Sequence, residues 1–286
     1  MNITQLSLLT AFSLSSLTYG QVVFSENFSS QTVGEQPTAT AVRPTSNSPD
    51  LYAEVVTGAA NGAGGGVGNG LKLYDNDASS ALAYENNFVS STANQLSAVH
   101  ISYDLAWEAD MESSFYYRFS TGLYSDSTGS TLNSNGNILY EVRWYGDGSF
   151  YVRGASGNSS AAEKLVVGSA YAVDIYINDS DTSTLDYMNP SGSTITLAAN
   201  SFAVYLDGVL IRSDGLYALG TGDNNLGRTG VVSFGNSVGL DYTLDNLVVT
   251  NLSAVPEPSF YAGMAGVLAF LFVLRKRARR AMEQNA

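Results

Sequence analysis

His100-Ile-Ser-Tyr-Asp-Leu-Ala-Trp-Glu-Ala-Asp-Met-Glu112 alternates more cleanly than any other stretch of the chain. In an extended strand, side chains two apart share a face. Tyr103, Leu105, Trp107, Ala109 and Met111 therefore fall on one side, and Ser102, Asp104, Ala106, Glu108, Asp110 and Glu112 on the other. One apolar and one polar face is the pattern of a half-buried strand, expected here over the whole of His100–Glu112.

Outward from that strand the same period recurs in short runs divided by Gly, Asn, Ser and Asp, with no long helical period and no internal repeat. Before it come Val22–Phe28, Tyr52–Val56, Leu71–Tyr74 and Ala81–Tyr84; after it come Phe115–Leu123 and Ile138–Tyr145, the latter placing Ile138, Tyr140, Val142 and Trp144 together. Gly146-Asp-Gly148 turns that run into Phe150–Arg153, because Gly and Asp accept the positive φ angles of tight hairpins. Tyr171–Ile177, a second hairpin of Phe202–Leu206 and Val209–Arg212 about Asp207-Gly208, Gly230–Phe234 and Leu240–Thr250 complete the set. Ser29–Pro49 is polar with three prolines and is expected to be a loop. Gly58–Gly70 holds seven glycines in an order that fits no phosphate-cradling motif and is expected to be a surface loop.

The order of Phe24-Ser-Glu-Asn-Phe28, Asn69-Gly-Leu-Lys-Leu73, Phe202-Ala-Val-Tyr-Leu-Asp-Gly-Val-Leu210 and Tyr242-Thr-Leu-Asp-Asn-Leu-Val-Val249 resembles that of the concanavalin A-like jelly rolls, laminin-G-like modules included. The resemblance implies an all-β jelly-roll β-sandwich over residues 21–252, with its first and last strands side by side. The same strands would also fill an immunoglobulin-like or other Greek-key sandwich.

Glu26 falls between Phe24 and Phe28, where a carboxylate needs a cation, a metal or hydrogen-bond donors. Jelly rolls of the type it resembles often hold a structural Ca²⁺ at the joined terminal strands, and the matching positions here are Glu26, the Gly70 carbonyl and Asp245. A salt bridge, or Glu26 turned to the rim, would serve equally. Glu108-Ala-Asp110-Met-Glu112 resembles the catalytic strand of the laminarinase and agarase family, which implies Glu108 as nucleophile, Asp110 as its partner and Glu112 as acid/base. On one strand Glu108 and Glu112 stand about 13 Å apart at Cα, and retaining hydrolysis brings such carboxyl groups to about 5–5.5 Å. Trp107 and Trp144 both fall on faces expected to be core, and Trp107 replaces the glycine usual before the motif. An acidic, solvated strand face is the plainer alternative. His100 is the sole histidine and cysteine is absent, so neither a Ser-His-Asp triad nor a zinc site is indicated. Asp179 and Asp181 lack the glycine and terminal Glu of an EF-hand and are expected in a solvated turn.

The two ends carry export signals. Leu6–Leu17 is apolar, and Thr18 and Gly20 precede a cut before Gln21, so residues 1–20 are expected to be a secretory signal peptide, although Met1–Gln5 lacks Lys and Arg. The tail runs Val255-Pro-Glu-Pro258, the uncharged Ser259–Leu274, then Arg275-Lys-Arg-Ala-Arg-Arg280. As a helix Ser259–Leu274 rises about 24 Å, a short span of a hydrocarbon core of about 30 Å. Arg275, Lys276, Arg277, Arg279 and Arg280 are retained in the cytoplasm. Together these parts resemble the PEP-CTERM sorting signal of exopolysaccharide-producing Gram-negative bacteria. The resemblance implies an exosortase partner acting near Pro256, Glu257 and Pro258; a permanent single-pass anchor is the alternative. Residues 253–258 are then a linker, 259–274 a transmembrane helix and 275–286 a basic cytoplasmic tail. The domain passes through a membrane-held intermediate outside the inner membrane to the cell surface or extracellular matrix.

Between residues 21 and 255 there are 24 Asp and Glu against 8 Lys and Arg. Phosphate binding needs a basic face, so nucleic acid is not an expected partner. The expectation is a non-catalytic surface or matrix protein that binds extracellular polysaccharide through a Tyr- and Asn-rich face. An endo-acting β-glycan hydrolase using Glu108, Asp110 and Glu112, or a purely structural matrix component, are the alternatives.

Overall fold

The computed structural model describes residues 20–57, 68–161, 163–217, 225–233 and 238–253. In chain order the strands among them are β1 Gln21–Glu26, β2 Ala41–Arg43, β3 Leu51–Thr57, β4 Asn69–Asp75, β5 Ala83–Asn87, β6 Ala98–Trp107, β7 Tyr116–Gly122, β8 Glu141–Tyr145, β9 Phe150–Gly154, β10 Gly157–Ser160, β11 Ala170–Asn178, β12 Leu185–Met188, β13 Thr194–Leu197, β14 Ser201–Leu206, β15 Val209–Gly215, β16 Arg228–Val232 and β17 Leu240–Asn251. They build two antiparallel sheets. One has eight strands, ordered β15-β14-β11-β6-β17-β4-β3 with β1 added beside β17; the other has seven, ordered β10-β9-β8-β7-β16-β5-β2. The short hairpin β12–β13 stands apart from both. The first strand does lie along the last, with Gln21 opposite Asn251 and Glu26 opposite Leu247. The architecture is a jelly-roll β-sandwich, and Gly20–Ser253 forms one compact unit.

The alternation of β6 is realised in burial: Val99, Ile101, Tyr103 and Leu105 are buried and His100, Ser102 and Asp104 half-buried. The inner faces of the two sheets meet in one core, which contains Leu73, Ile101, Tyr103, Leu105, Ile175 and Val204 from the eight-stranded sheet and Tyr84, Phe119, Val142, Trp144 and Val152 from the seven-stranded one. Trp144 is fully enclosed, with the rings of Tyr103 and Tyr242 each 5.7 Å away and Phe119 stacked at 6.0 Å. Burying such a side chain contributes roughly 1.5–3 kcal/mol.

Three expectations are corrected. The strand begun at Ala98 stops at Trp107, short of Glu112. There the chain leaves the eight-stranded sheet: Met111 N–H donates to the Gly146 carbonyl of the other sheet's hairpin, and Glu112 takes φ 52°. Gly148, at φ 80°, lets that hairpin press on the Trp107 ring, which a Cβ would meet at 2.4 Å. Ile138 does not share the face of Tyr140, Val142 and Trp144; β8 begins only at Glu141, and Ile138 packs with Ala83, Leu132 and Val232 on the other side of the sheet. The expected loop at 29–49 contributes β2, which pairs with β5. The signal peptide but for Gly20, the Pro256-Glu257-Pro258 linker, the span 259–274 and the basic tail lie outside the described residues. Among the described residues no helix is long and apolar enough to cross a membrane.

Candidate functional site

Strand parity turns one set of seven-stranded-sheet residues outward, away from the core: Arg43, Glu85, Tyr116, Arg118, Glu141, Arg143, Tyr145, Tyr151, Arg153 and Arg228. Half of this face is roofed by residues 124–139. Arg228 and Glu85, both fully buried, pair at 2.8 Å. The Arg228 guanidinium donates to the carbonyls of Ser125, Ser127 and Gly129, while Glu85 accepts from Ser130 Oγ and from the N–H groups of Thr131 and Leu132. An irregular segment cannot satisfy its own backbone, so the buried ion pair does so from beneath.

The other half is open at its edge. Register sets Tyr116 opposite Tyr145, Arg118 opposite Arg143, Arg143 opposite Tyr151 and Glu141 opposite Arg153. Glu141 is fully buried and carries three guanidiniums: Arg143 at 2.5 Å, Arg118 at 3.1 Å and Arg153 at 3.5 Å. Desolvation holds the Arg118 pKa below its usual value, with Glu141 opposing the shift. Exposure rises outward, from 4% for the Arg118 side chain to 11% for Arg143 and 29% for Arg153. Arg143 lies over the Tyr116 ring at 4.6 Å and Arg153 over Tyr217 at 4.1 Å. Tyr145 continues the aromatic row, 5.0 Å from Tyr116 and 5.1 Å from Tyr151. Tyr116, Tyr145, Tyr151 and Tyr217 are all half-buried. Flat rings beside forked donors suit an oxygen-rich ligand with ring faces to stack.

The expected sites are distributed otherwise. Glu108 is half-buried on the eight-stranded side, where its N–H donates to the Asp241 carbonyl and its charge acts on Lys72. Asp110 and Glu112 are exposed, and Asp110 accepts from Glu112 N–H at 2.9 Å, closing a turn. Glu112 lines a recess of about 360 Å³ with Met111, Phe115, Val238 and Gly239, without Glu108 or Asp110. The three carboxylates therefore do not share a strand face. Trp107 and Trp144 are in the core, as expected.

Glu26, Gly70 and Asp245 do gather at the seam where β1 and β4 succeed each other along β17. There Asp245 faces Asp104, and a bulge with Asn246 at φ 51° follows. Burial, then the charges of Asp104 and Glu26, push the Asp245 pKa up to about 6. Glu26, however, is half-buried rather than sealed between aromatics, and accepts from Phe28 N–H at 2.6 Å and Gln31 Nε2 at 2.8 Å. Asp104 accepts from Asn246 Nδ2 at 2.7 Å. Among the described residues no three His, Asp or Glu side chains converge on a metal position; Glu26, the Gly70 carbonyl and Asp245 are three groups, against the six to eight oxygens that calcium favours. His100 is structural, stacked on Tyr176 with Nε2 2.8 Å from Asp174. Asp179 is buried, not solvated, and accepts from Asn225 N–H.

The arginine cluster went unread because its members come from β7, β8 and β9, and only the pairing register unites them. The available signal was parity: placing Trp144 inward sends Glu141, Arg143 and Tyr145 outward.

No protein-family model matches the chain and no curated protein matches its sequence. Among solved structures, the conserved carbohydrate esterase from Shiga toxin-encoding bacteriophage phi24B is similar at TM-score 0.50 and 12% identity, over 81% of this chain and 99% of that one. The endo-beta-1,4-glucuronan lyase from the fungus Trichoderma reesei is similar at TM-score 0.47 and 11% identity, over 80% of this chain and 94% of that one. A sialidase matches at TM-score 0.45 and 13% identity over 76% of this chain, which spans 19% of the length of that protein. At 12% identity the likeness to the esterase is one of fold alone.

Proposed function

We propose that residues 21–252 form an exported, non-catalytic module that binds extracellular polysaccharide through the outer face of the seven-stranded sheet. The observation that carries this reading is the half-buried row Tyr116, Tyr145 and Tyr151 beside Arg143 and Arg153. Glu141, the carboxylate at its centre, is sealed beneath three guanidiniums and cannot reach a substrate. Export, handling by an exosortase and delivery to the cell surface or extracellular matrix follow from the resemblance of the tail to a PEP-CTERM signal. Under this reading the protein decorates or crosslinks a secreted glycan layer.

Co-sedimentation with a panel of insoluble polysaccharides tests the face. Tyr145→Ala and Tyr151→Ala should each weaken retention about tenfold, equivalent to about 1.4 kcal/mol. Tyr52→Ala, on the opposite sheet beside Tyr74, should leave retention unchanged. Loss in Tyr52→Ala with full retention in the other two would move the site to the eight-stranded sheet. Release of soluble sugar during the assay would instead support hydrolysis.

A further inference from the structure

We propose that the ligand of this face is an anionic, carboxylate-bearing polysaccharide, a polyuronate, with Arg143 and Arg153 contacting its carboxylates; this rests on the glycan-binding reading above. The domain is strongly acidic, with 24 Asp and Glu against 8 Lys and Arg. Yet five of those eight cations, Arg43, Arg118, Arg143, Arg153 and Arg228, stand on one outer face, where among the described strand residues the acids are Glu85 and Glu141. The opposite outer face carries Glu54, Asp104, Asp174, Asp241 and Asp245 against Lys72 and His100.

Within the basic face the excess is local. Arg228 and Glu85 cancel as a buried pair under the roofing segment. Among the described residues Arg118, Arg143 and Arg153 share the single carboxylate of Glu141, three cations around one buried anion. Asp214, near the sheet edge, is already held by Arg212 at 2.6 Å. Like charges gathered in a half-buried place repel one another, and an added anion relieves that repulsion. Arg143 and Arg153 are the more exposed members of the cluster, at 11% and 29%, and a guanidinium fork pairs bidentately with a planar carboxylate. The tyrosine row provides the ring faces that a sugar chain requires and an inorganic anion does not. The acidic remainder of the domain opposes dense polyanions such as nucleic acid at long range, which favours a ligand carrying at most one charge per sugar.

The experiment is affinity electrophoresis of the full-length chain in detergent, through gels containing alginate or polygalacturonate, the same polygalacturonate with its carboxylates reduced to alcohols, dextran sulfate, or neutral laminarin and dextran. The polyuronates should retard the chain, the reduced polymer at least tenfold less so, and added salt should weaken retardation. Arg153→Gln should lose about tenfold in apparent affinity, and Arg153→Lys should recover part of it. Arg153 is the most exposed of the three; thermal melts of each variant identify a folding defect, in which case Arg143→Lys supplies the second reading of the same site. Equal retardation by neutral and acidic glycans would overturn the anionic class and leave glycan binding standing. Retardation by dextran sulfate alone, indifferent to Arg153, would overturn the carboxylate assignment. No retardation by any polymer would overturn both.

Discussion

Asp75 is a carboxylate in the wrong place for its charge. It ends β4 fully buried, accepting from Ser233 Oγ and from Asp77 N–H. Burial pushes its pKa up to about 7, with these two hydrogen bonds opposing and the Asp77 charge reinforcing the shift. A folded-state pKa above the unfolded value means that stability is fully present below the unfolded pKa, near 3.8, and is lost as pH rises through about 7. At about 1.4 kcal/mol per unit, a rise from 3.8 to about 7 amounts to roughly 4 kcal/mol, so Asp75→Asn should stabilise the domain at pH 8 by up to about 4 kcal/mol and should give no gain near pH 4. Urea denaturation of both proteins at the two pH values checks this; an identical difference at both would show that Asp75 does not titrate in that window. Parity made Leu71 and Leu73 legible as core, because a period of two needs no tertiary information. It could not reveal Asp75, since a buried acid at a strand end looks in sequence like the start of a polar turn.

At the scale of elements, the sequence marks strands well where one face is buried and the other is not. β3, β4, β7, β9, β11, β14, β15 and β17 lie within a few residues of their alternating runs. It fails where exposure does not alternate. β10 and the hairpin β12–β13 are short and largely solvent-facing, so no apolar period marks them. The run His100–Glu112 overshoots because alternation continues by chance past Trp107, where the backbone has already turned to the other sheet. The candidate site suffers from the same limit: the proposed carboxylate triad depended on that overshoot. The β1–β17 seam offers a direct check on the calcium expectation. With Glu26 and Asp104 committed to protein donors, the melting temperature of residues 21–253 should be the same in chelator and in calcium at a hundredfold excess over any relevant Kd. A true site would add about 2.7 kcal/mol under that condition. A calcium-dependent rise abolished by Glu26→Gln or Asp245→Asn would restore Glu26, Gly70 and Asp245 as ligands.

The whole molecule sets two differently charged faces on one sandwich, and the sequence at its two ends is expected to direct export. The reading of the tail rests on composition alone: prolines, an apolar run and a basic cluster need no tertiary context. Deleting residues 255–286 should yield a secreted, soluble domain, and mass spectrometry of the mature full-length product should find an end near Pro256-Glu257-Pro258. Recovery of intact Arg275–Ala286 from the surface form would favour a permanent anchor. The central claim is that ligand binds on the outer face of the seven-stranded sheet. Its most direct test is backbone amide NMR of isotope-labelled residues 21–253 titrated with polygalacturonate oligomers. Shift changes should concentrate at Tyr116–Arg118, Glu141–Tyr145 and Tyr151–Arg153; changes confined to Glu108–Glu112, or to the outer face of the eight-stranded sheet, would contradict binding on this face.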